Sequence, residues 1–256
     1  MVLNQYKDIQ IVQIGAGGTG SWLVPLVSKF MNSIKLRSPV DHIFKYHIID
    51  FDIVEQRNIL RQNFIDWDIT KHKVFALNNR YVFNFSEIFA YILKIKNRKV
   101  LSQLINTNLS LEVLKNRQKI VDALPVERLV ILIGCVDNNN TRKIIYSVFN
   151  KINISNTTVI YIDSGNNLDN GQIITLARFN SLETLQQTSK TKKINFLKLF
   201  SEEQNVEQSC AFFGDQSLAI NNLAASLILI NLQRILINNE IPPTLIEFNS
   251  TGYCVF

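Results

Sequence analysis

The chain has 256 residues, 46% hydrophobic and 19% charged, with a formal net charge of +6 and a pI near 9.2. These totals describe a globular chain able to bury a core and exclude a disordered one. The three cysteines, Cys135, Cys210 and Cys254, show no CxxC spacing, which excludes a structural zinc site of four thiolates. Their odd number, with no signal peptide and no apolar stretch of about 20 residues, predicts a soluble protein of a reducing cytoplasm, not a membrane. The basic balance permits an anionic partner, but the densest runs, Lys94–Lys99 and Lys190–Lys193, are short. They read as solvated loops, with docking of nucleic acid or an acidic protein as the alternative.

In chain order, Ile9–Ile14 is an apolar strand broken by Gly15-Ala16-Gly17-Gly18-Thr19-Gly20. Ser21 to Phe30 carries Leu23, Leu26, Val27 and Phe30 at helical spacing, completing a strand–turn–helix unit. Lys45–Asp50 reads as the second strand, ending in an acid. Thr70–Phe83 reads as a helix, with Val74, Leu77 and Tyr81 on one face. Between Asn84 and Pro125 the pattern is weaker: a strand over Ile88–Ile95, then short helices over Leu101–Leu114. Arg128–Cys135 is a continuous apolar run, the pattern of a central parallel strand. Asp137–Thr141 supplies turn and cap chemistry before a helix over Arg142–Asn150. Thr158–Asp163 is a further strand, and the Asn170-Gly171 turn before Gln172–Arg178 predicts antiparallel pairing. Asn180–Gln208 is polar and aperiodic and reads as a long functional loop. Gln216–Ile237 is an apolar helix ended by Pro242-Pro243, and Ile246–Phe256 closes the sheet. The pattern predicts one α/β domain over 1–256: a Rossmann-like mixed sheet with helices on both faces. Its parallel, nucleotide-binding half is about 1–150; antiparallel strands and the partner-binding half follow, about 151–256.

The glycine turn fits GxGxxG, in which glycines let backbone amides approach a phosphate at a helix N-terminus. Asp50, at a strand end, is the expected acceptor of ribose hydroxyl hydrogen bonds, with Asp52 the near competitor and a plain surface acid the alternative. Asn58, Arg61 and Gln62 follow at the carboxyl edge of the sheet, where Arg61 suits a bidentate phosphate contact and Asn58 a second phosphate oxygen. Lys73 opens a helix, a position that a lysine's charge disfavours unless an anion is near; Lys71 is the alternative. Asp137, past the central strand, is placed to hold Mg²⁺ bridging phosphates, or else simply to cap the next helix. This set suits a triphosphate split between its α- and β-phosphates, which concentrates charge that Arg61, Lys73 and Mg²⁺ would stabilise. A hydride-transfer enzyme would leave these residues idle.

GAGGTGSW, DFDIVEQRNILRQNF, TKHKV and GCVDNNNTR, in this order, resemble the ThiF/MoeB/ubiquitin-activating superfamily of adenylyltransferases. GCVDNNNTR, YIDSGNNLDNGQI and the late QSC before a long helix look closest to the ThiF-family proteins of bacterial PRTRC systems. The resemblance implies that Gly15, Gly17, Gly18 and Gly20 cradle ATP and that Asp50 holds its ribose. Asn58, Arg61, Gln62 and Lys73 would surround the phosphates, and Asp137 would hold Mg²⁺. It implies adenylation of the C-terminal Gly-Gly carboxylate of a ubiquitin-like or sulfur-carrier-like protein, with release of pyrophosphate, in a homodimer. Cys210 matches the cysteine after the crossover loop of ThiF-like members, to which some transfer the acyl group; a structural thiol is the alternative reading. Cys135 and Cys254 read as structural. Two departures stand out: no arginine precedes the glycine turn, the first being Arg37, with Lys7 the substitute cation; and the zinc-binding CxxC pairs of MoeB-like enzymes are absent. A relative acting on RNA, like the tRNA threonylcarbamoyladenosine dehydratases, and a non-catalytic ATP-binding partner module are the alternative functions.

Overall fold

The computed structural model describes residue 6 and residues 8–37, 43–82, 88–105, 128–153, 157–179, 186–187 and 217–255. Continuous apolar runs can be satisfied only where both faces of a strand are covered, and one such run, β4 (Arg128–Gly134), pairs with β1 (Asp8–Ile14) at the centre of the sheet. Every residue of β1 is buried, as is all of β4 after its first residue. Around them lie β2 (Ile43–Asp50), β3 (Ile88–Ile92) and β5 (Thr157–Asn166), all parallel, in the order β3-β2-β1-β4-β5. β6 (Asn170–Arg178) then turns back antiparallel on β5, and β9 (Leu245–Asn249) and β10 (Gly252–Val255) continue antiparallel to the edge. The mixed sheet expected from the sequence is therefore observed, with eight strands.

Side chains alternate between two cores, as the period of a strand requires. Ile9 and Ile11 of β1, with Leu129, Ile131 and Ile133 of β4, face one way. There they meet α1 (Gly18–Arg37), α3 (Lys73–Tyr81) and α6 (Leu218–Gln233). Val12 and Ile14, with Val130 and Leu132, face the other way, toward a helix over 98–105 (α4) and α5 (Asn139–Lys151). Leu218–Asn238 is the one helical stretch among the described residues long and apolar enough to cross a membrane. It is a core helix here: Ile220, Ala224, Ile228, Leu232, Ile235 and Leu236 are at most 3% exposed.

Several boundaries differ from expectation for identifiable reasons. The helix predicted from Thr70 starts at Lys73, because Thr70 adopts a left-handed φ of 70° behind a short 3₁₀ turn at Asp66–Asp68. The strand predicted over Ile88–Ile95 stops at Ile92, and the helix predicted from Leu101 begins at 98. Residues 106–114 lie outside the described residues. The long helix is not ended by Pro242-Pro243. It loosens into a π-turn over Arg234–Asn238 and stops at Asn239, in the left-handed conformation with φ of 62°. Within the predicted loop 180–208, the described part is β7 (Gln186–Gln187), which pairs with β8 (Glu240–Ile241).

The register fixes where chemistry can happen. Ile14 lies beside Ile49 and Gly134, and Gly134 lies beside Asp163. The segments after β1, β2 and β4 therefore leave the sheet at one level, and β5 runs three residues past it to Asn166. The chain winds outward in opposite senses from β1 and β4, and the crevice between their carboxyl ends is the place such sheets bind ligands.

Candidate functional site

The glycine turn closes this crevice, and its geometry demands glycine at particular places. Gly15 has φ of 100°, and a Cβ there would lie 2.2 Å from the Cys135 carbonyl oxygen. A Cβ on Gly20 would lie 2.1 Å from the Gly15 carbonyl oxygen. Buried Gln13 braces the turn, its Nε2 donating to the carbonyls of Gly15 at 2.8 Å and Gly20 at 3.0 Å. The Tyr46 hydroxyl donates in turn to Gln13 Oε1. Gly17 is different: a Cβ there would meet nothing nearer than Gln62 Nε2 at 4.0 Å, so its open side faces the cleft. α1 starts at Gly18 with no acid in its first turn to neutralise its positive end.

Asp50 and Asp52, the two candidate ribose acids, occupy different positions. Asp50 ends β2 and is held by the turn, accepting from the Ala16 N–H at 2.6 Å and the Asp52 N–H at 2.8 Å. Burial pushes its carboxyl above the usual range, opposed by the Lys73 charge and these backbone bonds. Hydroxyl donors from a ribose would stabilise this desolvated carboxylate. Asp52 lies beyond the strand, exposed, and accepts from Lys73 Nζ at 3.2 Å. Lys73 itself is 6% exposed at the start of α3, so its ammonium is held in the cleft wall by one carboxylate.

Residues 58–63 form a polar ledge opposite Gly17. Asn58 accepts from the Glu55 N–H at 2.9 Å through Oδ1 and lines the cleft. The Arg61 carbonyl accepts from the Trp22 indole at 3.2 Å and from Asn221 Nδ2 at 3.3 Å. Asn63 N–H donates to Ser21 Oγ at 2.9 Å, and its Nδ2 to the Tyr81 hydroxyl at 2.9 Å. Ser21 and Trp22, the last two residues of GAGGTGSW, thus clamp the ledge to α1. Held in this way, Arg61 Nη1 and Gln62 Oε1 are buried without a hydrogen-bond partner. A buried guanidinium nitrogen with no partner, in the wall of a cleft, fits an anionic ligand.

Across the crevice, the segment after β4 separates two residues that the sequence left ambiguous. Asn138 is the N-cap of α5, accepting from the Thr141 N–H at 2.8 Å. Asp137 is therefore not the cap; it is exposed and lines the cleft. Among the described residues no group of three His, Cys, Asp or Glu could hold a metal. The donor set fits Mg²⁺ in its usual phosphate-bridging form, with one or two carboxylates and the remaining ligands from phosphate and water.

Beneath this rim lies a buried pair the sequence reading missed. Arg142 Nη2 donates to the carbonyls of Val136 at 2.8 Å and Ser164 at 3.1 Å, and its Nε lies 3.4 Å from Asp163 Oδ2. The Tyr161 hydroxyl donates to Asp163 Oδ1 at 2.7 Å. Burial raises the Asp163 carboxyl, and Arg142 and Tyr161 oppose that. Arg142 thereby ties the end of β4 to the end of β5. The pair needs small neighbours: a Cβ on Gly134 would lie 2.6 Å from Asp163 Oδ1.

Of the cysteines, Cys135 lines the cleft floor, and burial, helped by Asp163, drives its thiol far above the usual range. It is a poor nucleophile for that reason. Cys254, expected to be structural, is exposed on β10 and lines the cleft. Cys210 and Lys7 lie outside the described residues. The cleft measures about 1810 Å³ and runs from Gly17 and Arg61 past Asn166 to Asn249 and Tyr253. That exceeds the roughly 300–1,000 Å³ typical of one small ligand.

No family model matches the chain, and no curated protein matches it. Solved structures do. Selenomethionine PaaA superposes with a TM-score of 0.57 at 15% identity, covering 97% of this chain and 62% of that one. E. coli MccB with AMPCPP and selenomethionine MccA gives 0.58 at 15% identity, covering 100% and 64%. E. coli MccB with ATP gives 0.55 at 17% identity, covering 100% and 64%. The chain has the fold of these proteins, the fold expected from the ThiF/MoeB resemblance, and spans less than two thirds of their length.

Proposed function

We propose that the chain is an ATP-dependent adenylyltransferase that activates the C-terminal carboxylate of a ubiquitin-like or sulfur-carrier-like protein. The observation that carries this reading is that Arg61, Lys73 and Asp137 line the same cleft as Gly17. Arg61 offers a buried, unpartnered guanidinium nitrogen, and Asp137 is released from capping by Asn138. MccB, which has this fold, has been crystallised with ATP, and with AMPCPP and MccA. Both support a nucleotide site in this crevice with a second substrate alongside.

In this reading Asp50 holds the ribose, and the amides at the start of α1 receive the phosphates over Gly17 and Gly18. A carboxylate oxygen of the acceptor attacks the α-phosphorus, and the bond from that phosphorus to the bridging oxygen breaks. Pyrophosphate leaves and an acyl-adenylate remains. Arg61 and Lys73 stabilise the charge that collects on the leaving pyrophosphate. The Lys73–Asp52 pair keeps the ammonium in place before the nucleotide arrives. Mg²⁺, held through Asp137, would neutralise the leaving pyrophosphate. The length of the cleft beyond Asn166 leaves room for the acceptor's extended tail along β9 and β10. Transfer of the acyl group to Cys210, a homodimeric assembly and a cytoplasmic site of action belong to the same proposal.

Pyrophosphate exchange into ATP, driven by a candidate acceptor ending in Gly-Gly, tests the reading. Exchange that is lost on Arg61→Ala is the expected result. A folded protein that binds ATP and exchanges nothing with any such acceptor would sink it.

A further inference from the structure

The ledge carrying Arg61 is tied to half-buried Asn166 and buried Asn221, two amides that the adenylation reading does not use. Thr19 Oγ1, in the first turn of α1, donates to Asn166 Oδ1 at 3.1 Å. Asn166, at the end of β5, donates through Nδ2 to Asn221 Oδ1 at 2.5 Å. Asn221, on α6, donates through its own Nδ2 to the Arg61 carbonyl at 3.3 Å. The last two bonds join residues 55 and 160 positions apart.

Asn221 is 0% exposed and stands on a helix whose other buried residues are mostly apolar. A wholly buried amide in such a helix costs stability unless both its ends are bonded, and here both are. Its direction is also set: the oxygen faces the Asn166 donor, so the nitrogen must face Arg61. The Arg61 carbonyl receives one side-chain donor from α1, Trp22, and one from α6, Asn221. Arg61 lies just past the four-residue helix Gln56–Ile59, in a segment without regular structure, so these donors do much to fix where the guanidinium stands.

We infer that Asn221 is a positioning residue for the phosphate site: bridging Asn166 and Arg61, it makes triphosphate recognition depend on how α6 is seated. This rests on the adenylation reading, because it takes Arg61 to be a phosphate ligand. Asn221 lies in the first turn of α6, so a shift in the start of α6 reaches Arg61 through this bond. AMP, which lacks the β- and γ-phosphates, is indifferent to that shift.

The test is calorimetric binding of ATP and AMP to the full chain, as wild type and as Asn221→Leu, Arg61→Ala and the double variant. Asn221→Leu keeps the branching at Cγ and the number of side-chain heavy atoms and removes both bonds. The expected result is ATP affinity lowered about tenfold, with AMP affinity within about twofold of wild type. In the Arg61→Ala background, Asn221→Leu should cost ATP binding nothing further, the signature of one residue acting through the other. Equal losses for ATP and AMP, or an Asn221→Leu effect that persists without Arg61, would overturn the inference and leave the adenylation reading standing. A wild type that does not bind ATP overturns both. If Asn221→Leu does not fold, Asn166→Ser removes the donor that orients Asn221 and is held to the same pattern.

Discussion

Alanine at Gly15, Gly17 and Gly20 separates what the turn requires from what a ligand requires. At Gly15, φ of 100° is unfavourable for any residue with a Cβ, and that Cβ would stand 2.2 Å from a backbone oxygen. The conformation costs about 1–2 kcal/mol, and pushing the end of β4 away adds about 1–3 kcal/mol. The sum, about 2–5 kcal/mol, is a large part of the 5–15 kcal/mol that typically holds a domain folded. At 2–4 °C per kcal/mol it lowers the melting temperature by roughly 4–20 °C. Gly20→Ala meets the Gly15 carbonyl at 2.1 Å but regains helix propensity of about 1 kcal/mol, so it falls between. Gly17→Ala has 4.0 Å of room and forfeits only a helix-start preference of about 0.5 kcal/mol. In the adenylation reading, however, its methyl would stand where phosphate approaches the start of α1. Urea unfolding should therefore rank Gly15→Ala as the least stable and Gly17→Ala near wild type. Calorimetry should show Gly17→Ala binding ATP at least about tenfold more weakly. Gly17→Ala as unstable as Gly15→Ala, or stable with wild-type ATP affinity, would refute the reasoning.

Three further outcomes follow from neighbouring residues. Asp137→Asn should leave the melting temperature unchanged while raising the Mg²⁺ concentration needed for half-maximal exchange; Asn138→Ala should cost about 1 kcal/mol of stability by denaturant titration, because the cap is there. Asp163→Asn strands Arg142 in a buried site and should cost about 3–5 kcal/mol in urea unfolding, with a parallel loss of ATP binding as the ends of β4 and β5 loosen. His47 is buried, and desolvation, helped by Lys45, lowers its pKa from 6.5 to about 4. Between those values the unfolded chain binds the extra proton, so stability falls as pH drops from 6.5 to 4. A gap of about 2.5 pH units at 1.36 kcal/mol per unit gives about 3 kcal/mol. Denaturant melts of His47→Gln should lack that part of the acid loss.

The sequence made the N-terminal half of the fold legible because its constraints are local. A glycine with positive φ and an apolar run buried on both faces each leave a mark within a few residues, as at Gly15 and Arg128–Gly134. An acid closing a strand does the same at Asp50. Where two neighbours can do the same job the sequence stays ambiguous: Asp137 and Asn138 are both good caps, and the bond to Thr141 N–H decides. Asp50 and Asp52 were separable only once Lys73 was seen to hold the second. Partners joined across the sheet leave no local mark at all. Arg142 comes from α5 and Asp163 from β5, and Asn166 and Asn221 come from β5 and α6. The signal for Arg142 was present in GCVDNNNTR, but its partner could be found only from the register of β4 and β5.

The central claim is that this crevice breaks ATP between its α- and β-phosphates. Resolving the nucleotide products by chromatography, with ATP, Mg²⁺ and a Gly-Gly-tailed acceptor present, tests it most directly. Pyrophosphate and AMP in equal amounts, counting AMP held as acyl-adenylate, both abolished by Lys73→Ala, are what the account predicts. ADP and phosphate as the products, or AMP formation indifferent to Lys73, would contradict it.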